Sequence, residues 1–313
     1  MTAAETGQAL EHDHDVVIVG GGPAGCSAGV FCAREGLDTA VFDRGRSSLQ
    51  RCAHLGNCLG FPAGIAIDDF TALMYAHVSE AGCDIVEERV ESATQADADA
   101  RFVVETRAGE VHAAKYVIAA AWYDGSYLRG LNDEDTFEQQ EHHGEVEERF
   151  DPEYPDGDGR TPVDGLYVAS PAGDRSAQAI VVAGHGAHVA RWLSEDRRSE
   201  RGYSGEVAPH YDWLRSDAEF AGEWAERERW RTWFDDEMGA DLSEDRVADL
   251  REAYIDRAFD TRRTDQEVEA ATERGLRRLV EVIGQDRLLD VIDDDEIRSR
   301  VSELEDTDTA HES

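Results

Sequence analysis

The chain has 313 residues, in which 69 Asp and Glu face 31 Lys and Arg, for a formal net charge of −38 at pH 7. That length holds one large domain or two ordinary ones, and a 41% apolar share is enough to build a core. So negative a charge excludes a general nucleic-acid binder, which needs clustered Lys and Arg to release counterions, and an anionic membrane surface would repel it.

Met1–Asp15 is polar and acidic, and the apolar run after it, Val16–Val19, is far too short to span a bilayer. The five cysteines, Cys26, Cys32, Cys52, Cys58 and Cys83, are an odd number in a long chain, which argues against a secreted disulfide scaffold. The chain reads as cytoplasmic, with no targeting segment. From Asp15 to Trp122, β-branched runs alternate with helical ones: Val16–Val19, Ala24–Glu35, Thr39–Phe42, Asp68–Ala81, Phe102–Thr106 and Tyr116–Ala120. Strand, helix, strand at this spacing predicts βαβ units and a parallel sheet. Residues 123–160 read as a polar linker with a turn cluster at Asp156-Gly-Asp-Gly159. A last strand, Gly165–Ala169, and an apolar helix, Gln178–Leu193, follow. The expected fold class is α/β: a doubly wound Rossmann-like domain over 1–195, then an acidic α-helical extension over 196–313.

In that extension Trp213, Phe220 and Trp224 are seven and four apart, a spacing that puts them on one helical face. The stripe either packs the appended helices together or on the first domain, or serves as a partner or homodimer face. Glu303–Ser313 reads as a frayed acidic tail.

The most informative segment is Asp15-Val-Val-Ile-Val-Gly-Gly-Gly-Pro-Ala-Gly-Cys-Ser-Ala-Gly29. Gly20-x-Gly22-x-x-Gly25 lies between a buried-type strand and a helix, the context that the dinucleotide fingerprint requires. Gly20 allows the tight turn, and Gly22 lets the backbone approach a pyrophosphate. Gly25, with Gly29 one turn on, lets the helix lie close to the sheet. The helix N-terminus, entered through Pro23 and Ala24, offers N–H groups and a positive dipole end to phosphates. Asp43, with Arg44 beside it, ends the second strand at the expected distance. Its carboxylate can accept bonds from ribose hydroxyls and would repel a 2′-phosphate.

Gly-Gly-Gly-Pro-Ala-Gly resembles the FAD domain of the thioredoxin reductase family, and three further segments are similar to it. Asn57-Cys-Leu-Gly-Phe-Pro is similar to the family's Asn-x-x-Gly-x-Pro loop beside the flavin. Tyr116–Ala121 takes the place of its second flavin-contacting strand, with Ala119, Ala120 and Ala121 at the end. Gly165–Ala169 through Gln178–Ala187 is similar to its closing strand, loop and helix. The resemblance implies FAD as cofactor, with adenosine near the Val90 backbone and the flavin between the Asn57 loop and Gln178, Ala179 and Ile180. The family's Ala-Gly-Asp ribityl motif aligns with Asp174 by motif and with Ser170-Pro171 by distance.

The chain also departs from the family. About 40 residues separate Ala121 from Gly165, too few for the family's NADPH domain, and they carry no second glycine fingerprint. The family's Cys-x-x-Cys is absent. Cys52 and Cys58 form either a flavin-facing redox pair, with Arg51 or His54 lowering a thiol pKa, or two reduced cysteines in a covering loop. Cys26 and Cys32 read as small core residues. His12, His14, His142 and His143 lack further ligands at metal spacing, whereas His185 is a candidate for a role near the flavin. The reading is an FAD-dependent oxidoreductase that takes electrons from a carrier protein such as ferredoxin, or from NAD(P)H. The alternative is a non-catalytic FAD scaffold acting through its extension.

The basic residues are almost all arginine, Lys115 being the only lysine. With acid spread along the chain, this composition resembles that of haloarchaeal proteins. In molar salt the Debye length falls to about 3 Å and self-repulsion is screened. The chain is therefore expected to lose its circular-dichroism signature in dilute buffer and regain it in molar KCl; a signature indifferent to salt would contradict this.

Overall fold

All four residues of Val16–Val19 are buried because their strand is central and covered on both faces. We describe a computed structural model of the chain over residues 13–45, 47–96, 101–121, 125–131, 134–142, 145–169, 178–239 and 242–311. In chain order the first unit comprises β1 (His14–Val19), α1 (Pro23–Arg34), β2 (Thr39–Phe42), β3 (His54–Leu55), β4 (Ile65–Ala66), α2 (Ile67–Glu80) and β5 (Asp84–Val86). It continues through β6 (Val90–Gln95), β7 (Phe102–Thr106), β8 (Val111–Ala119), β9 (Phe137–His142), β10 (Glu145–Phe150), β11 (Leu166–Val168) and α3 (Ala179–Glu200). The extension carries β12 (Arg215–Ser216), α4 (Arg227–Glu237), α5 (Glu244–Asp260), β13 (Arg262–Arg263), α6 (Asp265–Ile283), α7 (Gln285–Leu289) and α8 (Asp294–His311).

The main sheet has seven strands in the order β5-β2-β1-β8-β7-β6, with β11 also on β8. β5, β2, β1, β8 and β11 pair in parallel, whereas β8, β7 and β6 form an antiparallel meander. The long β8 serves two neighbours along one edge: Val111–Ala114 pair with β7, and Val117–Ala119 pair with β11. Strand alternation divides the core. Val16 and Ile18 pack with Ala24, Ala28, Tyr116, Ile118, Val189 and Leu193 under the helices. Val17 and Val19 pack with Phe42, Phe102, Val117, Tyr127 and Leu128 on the other face. This is the expected doubly wound, Rossmann-like FAD-binding fold with a helical C-terminal region.

Three expectations need correction. Residues 123–160 are more than a loop, since the described part contains two short 3₁₀ turns and the hairpin β9–β10, in which Glu145 pairs with His142 and Phe150 with Phe137. The aromatic stripe is not helical: Trp213 precedes β12, Phe220 caps one 3₁₀ turn, Trp224 sits in another, and α4 begins only at Arg227. Its residues pack through loops instead, with Phe220 stacked on Trp230 at 5.9 Å between ring centroids and Trp224 edge-on to Trp230 at 5.2 Å. Finally, α8 continues to His311 where a frayed tail was expected. Among the described residues no helix is long and apolar enough to cross a membrane.

The extension has its own apolar clusters, one of Tyr203, Val207, Phe234 and Leu250, the other of Phe220, Trp230 and Ile255. Polar contacts join it to the first unit. Glu35, just past the end of α1, accepts from Arg257 Nη2 at 2.7 Å and lies 2.6 Å from His210 Nδ1. Arg34 forks onto Asp212, Arg287 onto Asp69 of α2, and Arg278 reaches Glu80 at 2.8 Å.

Burial alone would raise the Glu35 carboxyl, but the His210 hydrogen bond, the His210 charge and Arg257 outweigh it and hold it below its ordinary 4.5. A carboxyl depressed on folding contributes stability that is full above its unfolded pKa and lost as pH falls through its folded pKa. Urea melts from about pH 6 down to about pH 3 should therefore show a stability loss that Glu35→Gln does not share below about pH 4.5; parallel profiles would remove Glu35 as the docking acid.

Candidate functional site

The carboxyl ends of five strands, β1, β2, β5, β8 and β11, are tied together by main-chain hydrogen bonds. Gly20 N donates to Phe42 O at 2.9 Å, Asp43 N to Val86 O at 2.9 Å, Ala120 N to Val19 O at 2.9 Å, and Ala169 N to Ala119 O at 2.8 Å. The fingerprint glycines, the acid after β2 and the alanines after β8 thus meet at one edge of the parallel sheet, the usual ligand site of open α/β sheets.

The glycines differ in task. Gly20 has φ +122°, and a Cβ there would lie 2.7 Å from Ala120 C and O. A Cβ on Gly25 would fall 1.8 Å from Gly20 O. Both positions are closed by backbone. Gly22 is different: its φ is −78°, and among the described residues a Cβ would meet only Ser47 Oγ, at 3.8 Å. Gly22 is the N-cap of α1, followed by Pro23 at the first helical position, with no side-chain cap and no acid in the first turn. The helix end carries no acid in its own first turn and presents a positive dipole end, with Asp43 beside Gly21 as the nearest carboxylate among the described residues. This arrangement suits the phosphate and ribose of a nucleotide.

Asp43 is 7% exposed; its Oδ1 accepts from Gly45 N at 3.1 Å, and Tyr75 Oη donates to its Oδ2. Burial, then the bond and charge of Asp43, push the Tyr75 hydroxyl above its ordinary range, so it stays protonated as a donor. Two features here escaped the sequence reading. Tyr75 lies on α2 and carries no motif. Gly21 is the unspecified middle position of the fingerprint, yet a Cβ there would lie 2.4 Å from Asp43 Cβ. Arg44, next in the chain, is exposed.

At the opposite end of the expected site, Asn57 Nδ2 donates to Gln178 Oε1 at 2.7 Å, joining the loop after β3 to the start of α3. Ala179 is buried with Leu49, Leu55, Cys58, Ile65 and Ile67, whereas Ile180, Val181 and Leu59 are exposed. Val90 is fully buried in β6, main chain included, and exposes no surface to a ligand. Ala119, Ala120 and Ala121 are all buried. Asp174, Ser170-Pro171, Trp122 and Tyr123 lie outside the described residues.

Cys52 and Cys58 are both free thiols; Cys52 is exposed, whereas Cys58 sits in the apolar cluster with Ala179. Burial raises the Cys58 thiol, and no cation draws it down, so the activation expected from Arg51 or His54 is not found at Cys58. Cys26 and Cys32 are core residues, as their place in α1 implies. His185 is buried on α3, and His188 Nε2 lies 2.9 Å from Asp158 Oδ1 and 3.0 Å from Trp192 Nε1.

Residues 14–137 match the family model described as pyridine nucleotide-disulphide oxidoreductase, a span that includes the glycines, the acid after β2 and the alanines after β8 just described. Among solved structures, the chain is similar to thioredoxin reductase from Giardia duodenalis at 16% identity, covering 58% of this chain and 99% of that one with a TM-score of 0.44. It is similar to a thioredoxin reductase from Gloeobacter violaceus at 16% identity, covering 64% and 99% with a TM-score of 0.48. For T. acidophilum thioredoxin reductase the figures are 18%, 60% and 99%, with a TM-score of 0.46. No curated protein matches the chain.

The geometry separates Gly22 from Gly20 and Gly25, where backbone leaves no room for a side chain. Gly22→Val should fold normally, because its side chain enters open space, yet retain almost no FAD. Asp43→Ala should weaken FAD retention by about 100-fold, the loss of two hydrogen bonds to a charged acceptor. Flavin absorbance per protein with circular dichroism checks both; full flavin content in folded Gly22→Val would contradict the assignment.

Proposed function

We propose that the chain binds FAD across the five joined strand ends and works as an FAD-dependent oxidoreductase of thioredoxin reductase-like chemistry, with its electrons delivered from outside the chain. The observation that carries this reading is the uncapped α1 N-terminus at Gly22, placed beside the buried Asp43 carboxylate and the alanines after β8.

FAD, when bound, supplies the electron-transfer chemistry, and the protein supplies binding and orientation. The first-turn amides of α1 would hold the pyrophosphate, aided by the helix dipole. Asp43 would accept from the ribose hydroxyls, its second oxygen kept in place by Tyr75. The small side chains of Ala120 and Ala121 let the chain pass close to the cofactor beside Gly20. The Asn57–Gln178 bond would close the flavin end, with Ala179 and Ile180 of α3 next to it; Asp174 or Ser170-Pro171 would complete the ribityl contact.

The electron donor is proposed to be a carrier protein or NAD(P)H meeting the flavin from the side of Leu59, Ile180 and Val181, whose exposed apolar groups suit a partner surface. One observation favours the second reading, a scaffold that keeps FAD without turnover: the burial-raised Cys58 thiol is poorly placed to relay electrons. Stopped-flow mixing in molar KCl separates the two. Under the proposal, NADPH, NADH or reduced ferredoxin bleaches the flavin band at about 450 nm. Absence of bleaching by all three would sink the catalytic reading and leave the scaffold.

A further inference from the structure

A cavity of about 700 Å³ opens where the C-terminal half of α3, the segment 206–224, α4 and α5 meet. Trp224, Trp230, Trp233 and Tyr254 form aromatic walls, and Arg198 and Arg215 supply positive charge. We propose that this cavity is a second ligand site, for a flat aromatic monocarboxylate, separate from the dinucleotide site.

Charge is the first argument. Arg198 is only 5% exposed, and its Nε and Nη2 donate to Ala208 O and Val207 O, both at 2.7 Å. Those bonds fix the guanidinium without neutralising it. Neither Arg198 nor half-buried Arg215 forms an ion pair among the described residues. The neighbouring Arg227, Arg231, Arg251 and Arg257 all do. In a chain with more than twice as many acids as bases, an unpaired buried arginine beside a cavity marks a place for an anion. The Nε–Nη2 edge of Arg198 is spent on those two carbonyls, which leaves its Nη1 and the Arg215 guanidinium to meet a carboxylate.

The walls supply the second argument. Trp224 and Trp233 lie edge-on at 6.4 Å, Trp233 and Tyr254 are 5.6 Å apart, and Arg198 stands 5.7 Å from the Tyr254 ring centre. A flat ring can add to such a set by offset or edge-to-face contact. Glu206, Glu219 and Glu237 also border the cavity, and their charges disfavour any anion, a dianion such as a phosphate monoester more than a monocarboxylate. A volume of this size is ordinary for a small-molecule site.

The two sites are distinct in space. Glu35, bonded to His210 and Arg257 of the cavity lining, lies at the far end of α1 from Gly22. The 12 residues of α1 put about 18 Å between them.

Isothermal titration of the full FAD-loaded chain in molar KCl tests the proposal with four probes: benzoate, indole-3-carboxylate, phenyl phosphate and benzylamine. The two carboxylates should saturate one site per chain, phenyl phosphate should bind more weakly, and benzylamine should not bind. Arg215→Gln breaks no side-chain hydrogen bond or ion pair among the described residues, and should weaken carboxylate binding about tenfold while leaving circular dichroism and flavin content unchanged. Gly22→Val, altered only at the dinucleotide site, should bind the carboxylates as the unaltered chain does. No saturation by either carboxylate, benzylamine or phenyl phosphate binding at least as tightly, or an unchanged affinity in Arg215→Gln would each overturn the proposal. Loss of carboxylate binding in folded Gly22→Val would also overturn it, by placing the probe at the dinucleotide site.

Discussion

The position of α1 rests on backbone meeting backbone. Its underside lies against the turn after β1, where a Cβ on Gly25 would overlap Gly20 O at 1.8 Å. Its flank lies against α3, where a Cβ on Gly186 would come within 2.0 Å of Ala24 O. With no side chain between these elements, nothing can adjust by changing rotamer, and packing at this density transmits any displacement directly. The helix N-terminus is thereby fixed over the strand ends. The one fingerprint glycine that faces open space, Gly22, is the one next to which a phosphate would sit. Structural and functional glycines in the fingerprint can be told apart by what a Cβ would strike.

This explains what could be read from the sequence. Spacing of Gly20, Gly22 and Gly25 between a β-branched run and a small-residue helix encodes a local geometry, so α1 and β2 match the sequence reading closely and β1 only starts earlier, at His14. Asn57 and Gln178 were named separately, on resemblance, and the structure joins them by a hydrogen bond. What remained hidden depends on contacts between distant segments. Tyr75 meets Asp43 across 32 positions, and nothing in the local pattern of α2 marks it. Gly21 occupies an unspecified slot of the motif because its constraint comes from the Asp43 side chain, at the end of another strand.

The aromatic residues of the extension mislead for a different reason. Seven-and-four spacing implies a shared face only if the intervening chain is helical, and Gly222 with φ +60° interrupts it. Phe220 and Trp224 converge on Trp230 because loops fold them onto α4, whereas Trp213 stays exposed beside Tyr211. Hairpin β9–β10 was hidden by its polarity: a two-stranded ribbon with Glu and Gln along its strands shows little of the alternation that marks a half-buried strand.

The way the extension is attached gives the charge of the chain its structural meaning. Among the described residues the apolar clusters fall within one unit or the other, and Arg34–Asp212, Arg257–Glu35, Arg278–Glu80 and Arg287–Asp69 cross between them. Exposed pairs of this kind are each worth little and weaken in salt, and Arg287 on its own would hold nothing. Glu35 differs, being largely enclosed and held by two partners at once, so its attraction is less screened. Salt therefore acts on the chain in two directions, relieving repulsion among its many carboxylates while loosening the outer clasps of the extension. The Glu35 contact is the one least affected by either, and it lies where α1, which carries the dinucleotide site at its other end, meets the lining of the aromatic cavity. Any influence of one site on the other would have its shortest physical route through that helix and that carboxylate.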